Sequence, residues 1–324
     1  VDCDPVYDYG RMQPSLQFGS NHIKYSGFPS ELRLTTNASL HYIEEKRPFV
    51  LDSPLYLALT WGRPIESDLK YTCESFLEKT ISYWQKWVKH SHLPDSYQKP
   101  VIRSALTLKL HQMEDTGAII AASTTSIPEA KATQRNWDYR FCWVRDTYFT
   151  IEALNSLTHF EELEKFIAYM RNIVRNAKAH DYYLQPVYSI TGERNLEEKQ
   201  ISELSGYLNH PPVRVGNQAS EHIQHDVFGE LMLAVSKLYL DERFIYNDET
   251  THVQGKNQNN SLEVVDYLTQ KIEQYIDAPD AGLWEFRGIA QLHTFSVLMH
   301  WAGAKQAMRI YKKWSLNEKY ESAK

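Results

Sequence analysis

The chain has 324 residues, with 35 Lys and Arg against 41 Asp and Glu, a formal net charge of -6, and 42% hydrophobic residues. Its charges are interspersed and no basic block is present to neutralise phosphates, which excludes nucleic acid as an expected partner. No run of about 18 apolar residues spans a bilayer, and Val1-Asp-Cys-Asp-Pro5 does not look like a signal sequence. A cytoplasmic location is therefore expected, or a secreted one if a leader has been removed.

The length suits one large domain or two ordinary ones. Cys3, Cys73 and Cys142 are far apart, odd in number and without metal-ligand spacing, so neither a disulfide framework nor a zinc site is indicated. The acidic residues form no calcium loop, and no cofactor or metal is expected.

In chain order, strand-like alternation predicts β structure from Ser15 to Tyr25, Glu31 to Tyr42 and Pro54 to Trp61, separated by Pro and Gly. Residues 1–66 read as the remnant of an N-terminal β-sheet module. From Ser67 the period changes. Leu77, Ile81, Trp84 and Val88 share one face of a helix beginning near Ser67 and Asp68. A second helix follows Pro94-Asp-Ser96, with Val101, Ala105 and Leu108 on its buried side. Further helices are predicted over 145–157, 160–178, 220–240, 262–277 and 290–313. Ile223, Val227, Leu231, Val235 and Leu238 make the clearest stripe, a core pattern. Glu162, Glu164, Glu221 and Glu230 read as helix-face or pairing residues. The connections Ala118 to Arg140 and Asp181 to Gly216 are long, which marks them as functional loops, whereas Asp241 to Asn260 is a polar tract expected to be flexible. Helices arriving in pairs suggest a helical barrel or toroid.

Two stretches carry chemistry. Asn136-Trp-Asp-Tyr-Arg-Phe-Cys-Trp-Val-Arg-Asp146 concentrates rings and fixed charges. Aromatic faces stack on sugar rings while Arg and Asp take up the hydroxyls around the edge. The competing reading is a buried loop whose Arg and Asp pair with each other beneath packed aromatics. Downstream, Ala281-Gly-Leu-Trp-Glu-Phe-Arg-Gly288 sets Glu285 between Trp284 and Phe286. Flanking rings desolvate a carboxyl and favour its protonated, acid-donating form, while direct pairing with Arg287 would oppose this. A plain Glu–Arg pair at a helix start is the alternative. His293 could touch substrate, but a lone His at a helix start reads first as structural.

These stretches, with Thr124-Thr-Ser-Ile-Pro-Glu129, Gly192-Glu-Arg194 and Val213-Arg-Val-Gly-Asn217, resemble the successive motifs of glycoside hydrolase family 15, the family of glucoamylases, glucodextranases and some trehalases. The resemblance covers about residues 67–313. It implies a mainly α fold, an (α/α)6 barrel of which residues 67–324 supply about the first half, preceded by the end of a β-sandwich in residues 1–66. It implies an inverting, exo-acting α-glucosidase that releases glucose from the non-reducing end of an α-glucan or α-glucoside. In that family Arg145 and Asp146 would hold the terminal glucose, Trp143 and Tyr139 would shape its subsite, Glu285 would be the general acid, and Trp284 and Arg287 would line the pocket beside it.

The family's general base lies late in the barrel, and no match to that motif is found, so the base is expected outside this chain. Asp226 and Gln224 would line the cavity without that role. After Gly288 the family often continues with Gly and Pro, whereas this chain has Ile289-Ala-Gln-Leu-His293, which predicts a different leaving-group subsite. The alternatives are a non-catalytic sugar-binding or regulatory protein and, less favoured, an inverting phosphorylase, for which no phosphate cradle is evident. Asn37-Ala-Ser39 and Asn259-Asn-Ser261 fit the glycosylation pattern, which matters only in a secreted protein.

Overall fold

A computed structural model describes residues 2–65, 67–242 and 262–324. The Asn259 triplet and all of the polar tract except Asp241 and Glu242 lie outside the described residues. Two compact units are present, Val1–Lys89 and His90–Lys324.

The first unit contains an antiparallel meander of β1 (Ser15–Phe18), β2 (His22–Ser26), β3 (Leu32–Thr36) and β4 (Leu57–Trp61), in that order. The run from Ser15 to Tyr25 is thus a hairpin rather than one strand, because Gly19-Ser-Asn21 supplies turn residues and Gly19 N–H donates to His22 O at 2.9 Å. The next run ends at Thr36 and passes into the short helix α1 (Leu40–Glu44).

Register puts Phe18, Ile23, Leu34 and Leu59 in one cross-strand row and Leu16, Tyr25, Leu32 and Trp61 in the next. Both rows share a face, since side chains alternate along each strand. Ile23, Tyr25, Leu32 and Leu34 are buried with Ile43 of α1, whereas Leu16, Phe18, Leu59 and Trp61 at the margins stay exposed.

Helix α2 (Leu69–Lys89) begins where Asp68 accepts from Tyr71 N–H at 2.8 Å, the cap expected from the sequence. Its apolar face does not form a core: Leu77 and Ile81 are exposed. Tyr56 donates to Glu74 on α2 at 2.7 Å. The first compact unit takes in α2, whereas the sequence assigns everything after residue 66 to the helical domain.

The second unit is mainly α. Its helices are α3 (Gln98–Leu110), α4 (Val144–Ser156), α5 (Phe160–Ala179), α6 (Asp226–Leu240), α7 (Glu263–Tyr275), α8 (Thr294–Lys313) and α9 (Asn317–Ser322). Two short ribbons brace the loops. One pairs β5 (Cys142–Trp143) with β6 (Val187–Tyr188), the other β7 (Lys199–Ile201) with β8 (Val213–Val215). Among the described residues no helix is long and apolar enough to cross a membrane.

Helix α6 is the hub of this unit, packed by α4, α5, α7 and α8. Val227, Leu231, Val235 and Leu238 are all buried, as the stripe predicts, and so are Phe228, Met232 and Tyr239. A helix buried on nearly every side is one enclosed by others. Ile223 departs from the stripe: the helix starts only at Asp226, and Ile223 lies 52% exposed before it. Where α6 meets α8, both helices carry glycine. A Cβ on Gly229 would fall 2.1 Å from the Met299 carbonyl oxygen, so only a bare Cα permits this approach.

Candidate active site

The loops preceding α4, α6 and α8 enclose a cavity of about 660 Å³. Tyr139, Trp143, Arg145, Asp146, Trp284, Glu285 and Arg287 all line it. Residues far apart in the chain meet because the loops that lead into these three helices converge there. Trp137 and Glu129, from the long loop before α4, line it too, as do Asn217 and His222 ahead of α6.

Glu285 sits at φ 54°, a left-handed conformation that costs a non-glycine residue roughly 1 kcal/mol. A tight turn imposes it: Glu285 N–H donates to Gly282 O at 3.0 Å and Phe286 N–H to Ala281 O at 3.1 Å. The carboxyl is gripped through one oxygen. Trp143 Nε1 donates to Oε1 at 2.8 Å, and Arg145 Nη2 approaches the same oxygen at 3.4 Å. Both donors fall on Oε1, and Oε2 carries no hydrogen bond among the described residues.

The ring against Glu285 is therefore Trp143, not its sequence neighbours. Trp284 is 77% exposed and Phe286 is exposed as well, so the desolvation expected from them is absent. Arg287 does not pair with Glu285 either. Its Nη2 reaches Glu198 Oε2 at 3.1 Å, while Arg214 Nε holds Oε1 of the same carboxylate at 3.1 Å. Both guanidiniums stack on Trp137, with centroid distances of 4.6 and 4.7 Å.

Arg145 gathers the acids of the cavity. Beside Glu285 it lies 3.9 Å from Asp146 Oδ2 and 4.0 Å from Asp226 Oδ2, and its Nη1 donates to Gln224 Oε1 at 3.3 Å. The Asp146 side chain keeps 47% of its surface open to the cavity. Crowding by protein atoms nonetheless pushes its carboxyl up from the usual aspartate range, Arg145 pulls it down and Glu285 adds to the rise. Tyr139 donates to Glu129 Oε1 at 2.7 Å and tilts against Trp143 at 5.8 Å, and burial pushes its phenol up. Arg135 Nε holds the other oxygen of Glu129 at 3.3 Å. Burial lowers the imidazole of His222.

Glu230, read from sequence as a helix-face or pairing residue, is fully buried with no hydrogen-bond partner among the described residues. Glu162 does pair, with Lys109 at 3.4 Å. His293 stacks on Phe286 at 6.0 Å ahead of α8 and is not among the residues lining the cavity. Asn37 of the first glycosylation triplet spends its side chain on Pro54 O and Tyr56 N–H. Among the described residues no group of three or more His, Cys, Asp or Glu is placed to hold a metal ion.

Asp280 ties the loop bearing Glu285 to its surroundings, a role with no sequence signal. Its buried carboxylate accepts from His225 N–H at 2.8 Å and Ser296 Oγ at 2.8 Å through Oδ2, and from Gly282 N–H at 3.1 Å through Oδ1. It thereby fixes the start of α6, the first turn of α8 and the turn that bears Glu285. Asp280→Asn turns an amide NH₂ toward donors and is expected to cost about 1–3 kcal/mol in denaturant unfolding. An unchanged midpoint would show that this network does not hold the loop.

The chain matches the family profile described as Glycosyl hydrolases family 15 over residues 95–323. It is 30% identical over 323 residues to a trehalase of Thermoplasma volcanium, covering 98% of this chain and 49% of that protein. A trehalase of Mycobacterium tuberculosis is 30% identical over 329 residues, 95% of this chain and 46% of its own length. Trehalase 2 of Sulfolobus acidocaldarius is 28% identical over 337 residues, 100% of this chain and 56% of its own length. The chain spans about half the length of the curated relatives it matches. No solved structure matches it. The helix-rich second unit agrees with the (α/α)6 barrel of that family.

Proposed function

Because the chain belongs to glycosyl hydrolases family 15, we propose that it carries the acid-bearing half of an inverting α-glucosidase, with α,α-trehalose as the substrate and glucose as the product. The names of the relatives favour trehalose over α-glucans. The observation that carries the reading is the grip of Trp143 and Arg145 on Oε1 of Glu285 beside Asp146, which leaves Oε2 to give a proton.

In this reading Arg145 and Asp146 take the hydroxyls of the terminal glucose, with Tyr139 and Trp143 packed against its ring. Glu285 Oε2 protonates the glycosidic oxygen as the bond to the anomeric carbon breaks. Trp284 and Arg287 flank the departing sugar. A base from outside residues 1–324 takes a proton from the water that attacks the opposite face, with the two carboxyls roughly 6.5–9.5 Å apart to admit that water. Of the other cavity carboxyls, Glu129 is tied to Tyr139 and Arg135, and Asp146 shares Arg145 with the acid itself.

Proton NMR of the first turnovers of the protein at its natural length tests both substrate and stereochemistry. Inversion at the attacked carbon makes trehalose yield one β-glucose and one α-glucose before mutarotation. Initial release of α-glucose alone would exclude inversion. Glucose from maltose or isomaltose but none from trehalose would reassign the substrate.

A further inference from the structure

Beneath the cavity, α6 carries two carboxyls that the reaction as read above does not use. Asp226 and Glu230 stand one helical turn apart, both side chains are fully buried, and none of their oxygens has a hydrogen-bond partner among the described residues. Like charges at this spacing repel when both are ionised. Among the described residues the cation in reach is Arg145, 4.0 Å from Asp226 Oδ2, and it is already shared with Glu285 at 3.4 Å and Asp146 at 3.9 Å. One guanidinium shared among four carboxyls, two of them fully buried, cannot balance them all, so the cluster must retain a proton.

We propose that Asp226 and Glu230 are a proton-sharing pair that positions Arg145: ionised Asp226 anchors the guanidinium from beneath, and Glu230 keeps the proton. The proposal rests on the reading of Glu285 as the acid. Arg145 divides its charge between Glu285, at 3.4 Å, and Asp226, at 4.0 Å, whereas an Arg145 without ionised Asp226 beneath it would act on Glu285 alone. Asp226 is thus a positioning residue that acts through Arg145.

The surroundings of the pair agree with this division. Burial pushes Asp226 up to about 6 against the pull of Arg145, and burial together with Asp226 pushes Glu230 well above the carboxylate range. The titratable groups facing the pair are Arg145, Asp146 and Tyr148 from α4, with Tyr183, Asp280 and Glu285 from the loops. His225 and His300 lie on the Asp280 side. Burial lowers both, so they stay neutral at pH 7 and add no competing cation.

Two measurements on the protein at its natural length test the proposal. In Asp226→Asn the alkaline limb of kcat against pH is expected to move down by about one unit, because Glu285 loses a repelling anion and gains a freer Arg145. KM is expected to change less than kcat. A limb that stays in place overturns the proposal. The infrared difference spectrum between the wild type and Glu230→Gln at pH 7 should show the carbonyl stretch of one protonated carboxyl, and a difference spectrum without that band also overturns the proposal. The infrared arm decides the matter if Asp226→Asn does not fold. A protein with the band but no hydrolysis of any α-glucoside would instead sink the functional reading and leave the proton-sharing pair standing.

Discussion

Glu285→Gln is expected to lower the hydrolysis of trehalose by about 10²–10⁴-fold while substrate binding stays near that of the wild type. The carboxamide keeps an oxygen where Trp143 Nε1 donates at 2.8 Å and Arg145 approaches at 3.4 Å, so the tight turn and its grip survive. What is lost is the proton on the other oxygen. The deficit should therefore fall on kcat, with the dissociation constant measured by calorimetry little changed. The leaving group gives a second handle. An α-glucosyl fluoride departs with little help from an acid, and its turnover should fall much less than that of trehalose. A trehalose rate within tenfold of the wild type would remove Glu285 from the acid role, and equal losses on both substrates would point to damaged binding instead.

How much of this was legible beforehand depends on the range of the interaction. The helices could be read because each depends on its own periodicity: α4, α5, α7 and α8 begin and end within a few residues of the expected positions. Turns nested in an apolar run could not, and Gly19-Ser-Asn21 divides what alternation alone treats as one strand. The stretch from Asn136 to Asp146 divides between a buried pair and residues that line the cavity. Asp138 is buried and clasps Arg140 with 2.9 and 2.8 Å contacts, a structural pair, whereas Arg145 and Asp146 face the cavity. Spacing could not separate the pairs, since only the position of the α4 start decides which Arg points outward. Partners distant in sequence were the least accessible. Glu198 answers Arg287, Asp280 anchors the acid loop, and Arg145 rather than Arg287 meets Glu285. Glu230 shows the same limit, because an acid inside a helix looks like a surface residue until its neighbours are known.

Gly229→Ala is expected to destabilise the second unit by about 3 kcal/mol or more, the opposite of what helix propensity alone gives. In a helix interior open to solvent this substitution gains about 1 kcal/mol, because glycine is the more costly residue there. At Gly229 the added methyl would lie 2.1 Å from the carbonyl oxygen and 2.3 Å from the carbonyl carbon of Met299, backbone atoms of α8 that cannot swing aside. Relief requires α6 and α8 to separate, which opens a close-packed interface along both helices. Gly303→Ala offers a graded control. There the nearest atoms are Cδ1 of Ile272 at 2.8 Å, the end of a side chain that can turn, and Cα of Gly229 at 2.9 Å, so the penalty should be smaller. Denaturant unfolding of both variants distinguishes the cases, and a Gly229→Ala midpoint at or above the wild type would show that the two helices do not meet at this glycine. Asp226 opens α6 and the Glu285 loop leads into α8. Prying the helices apart should therefore also move Arg145 and Glu285 relative to each other, and any folded remainder of Gly229→Ala should lose activity in excess of its loss of folded protein.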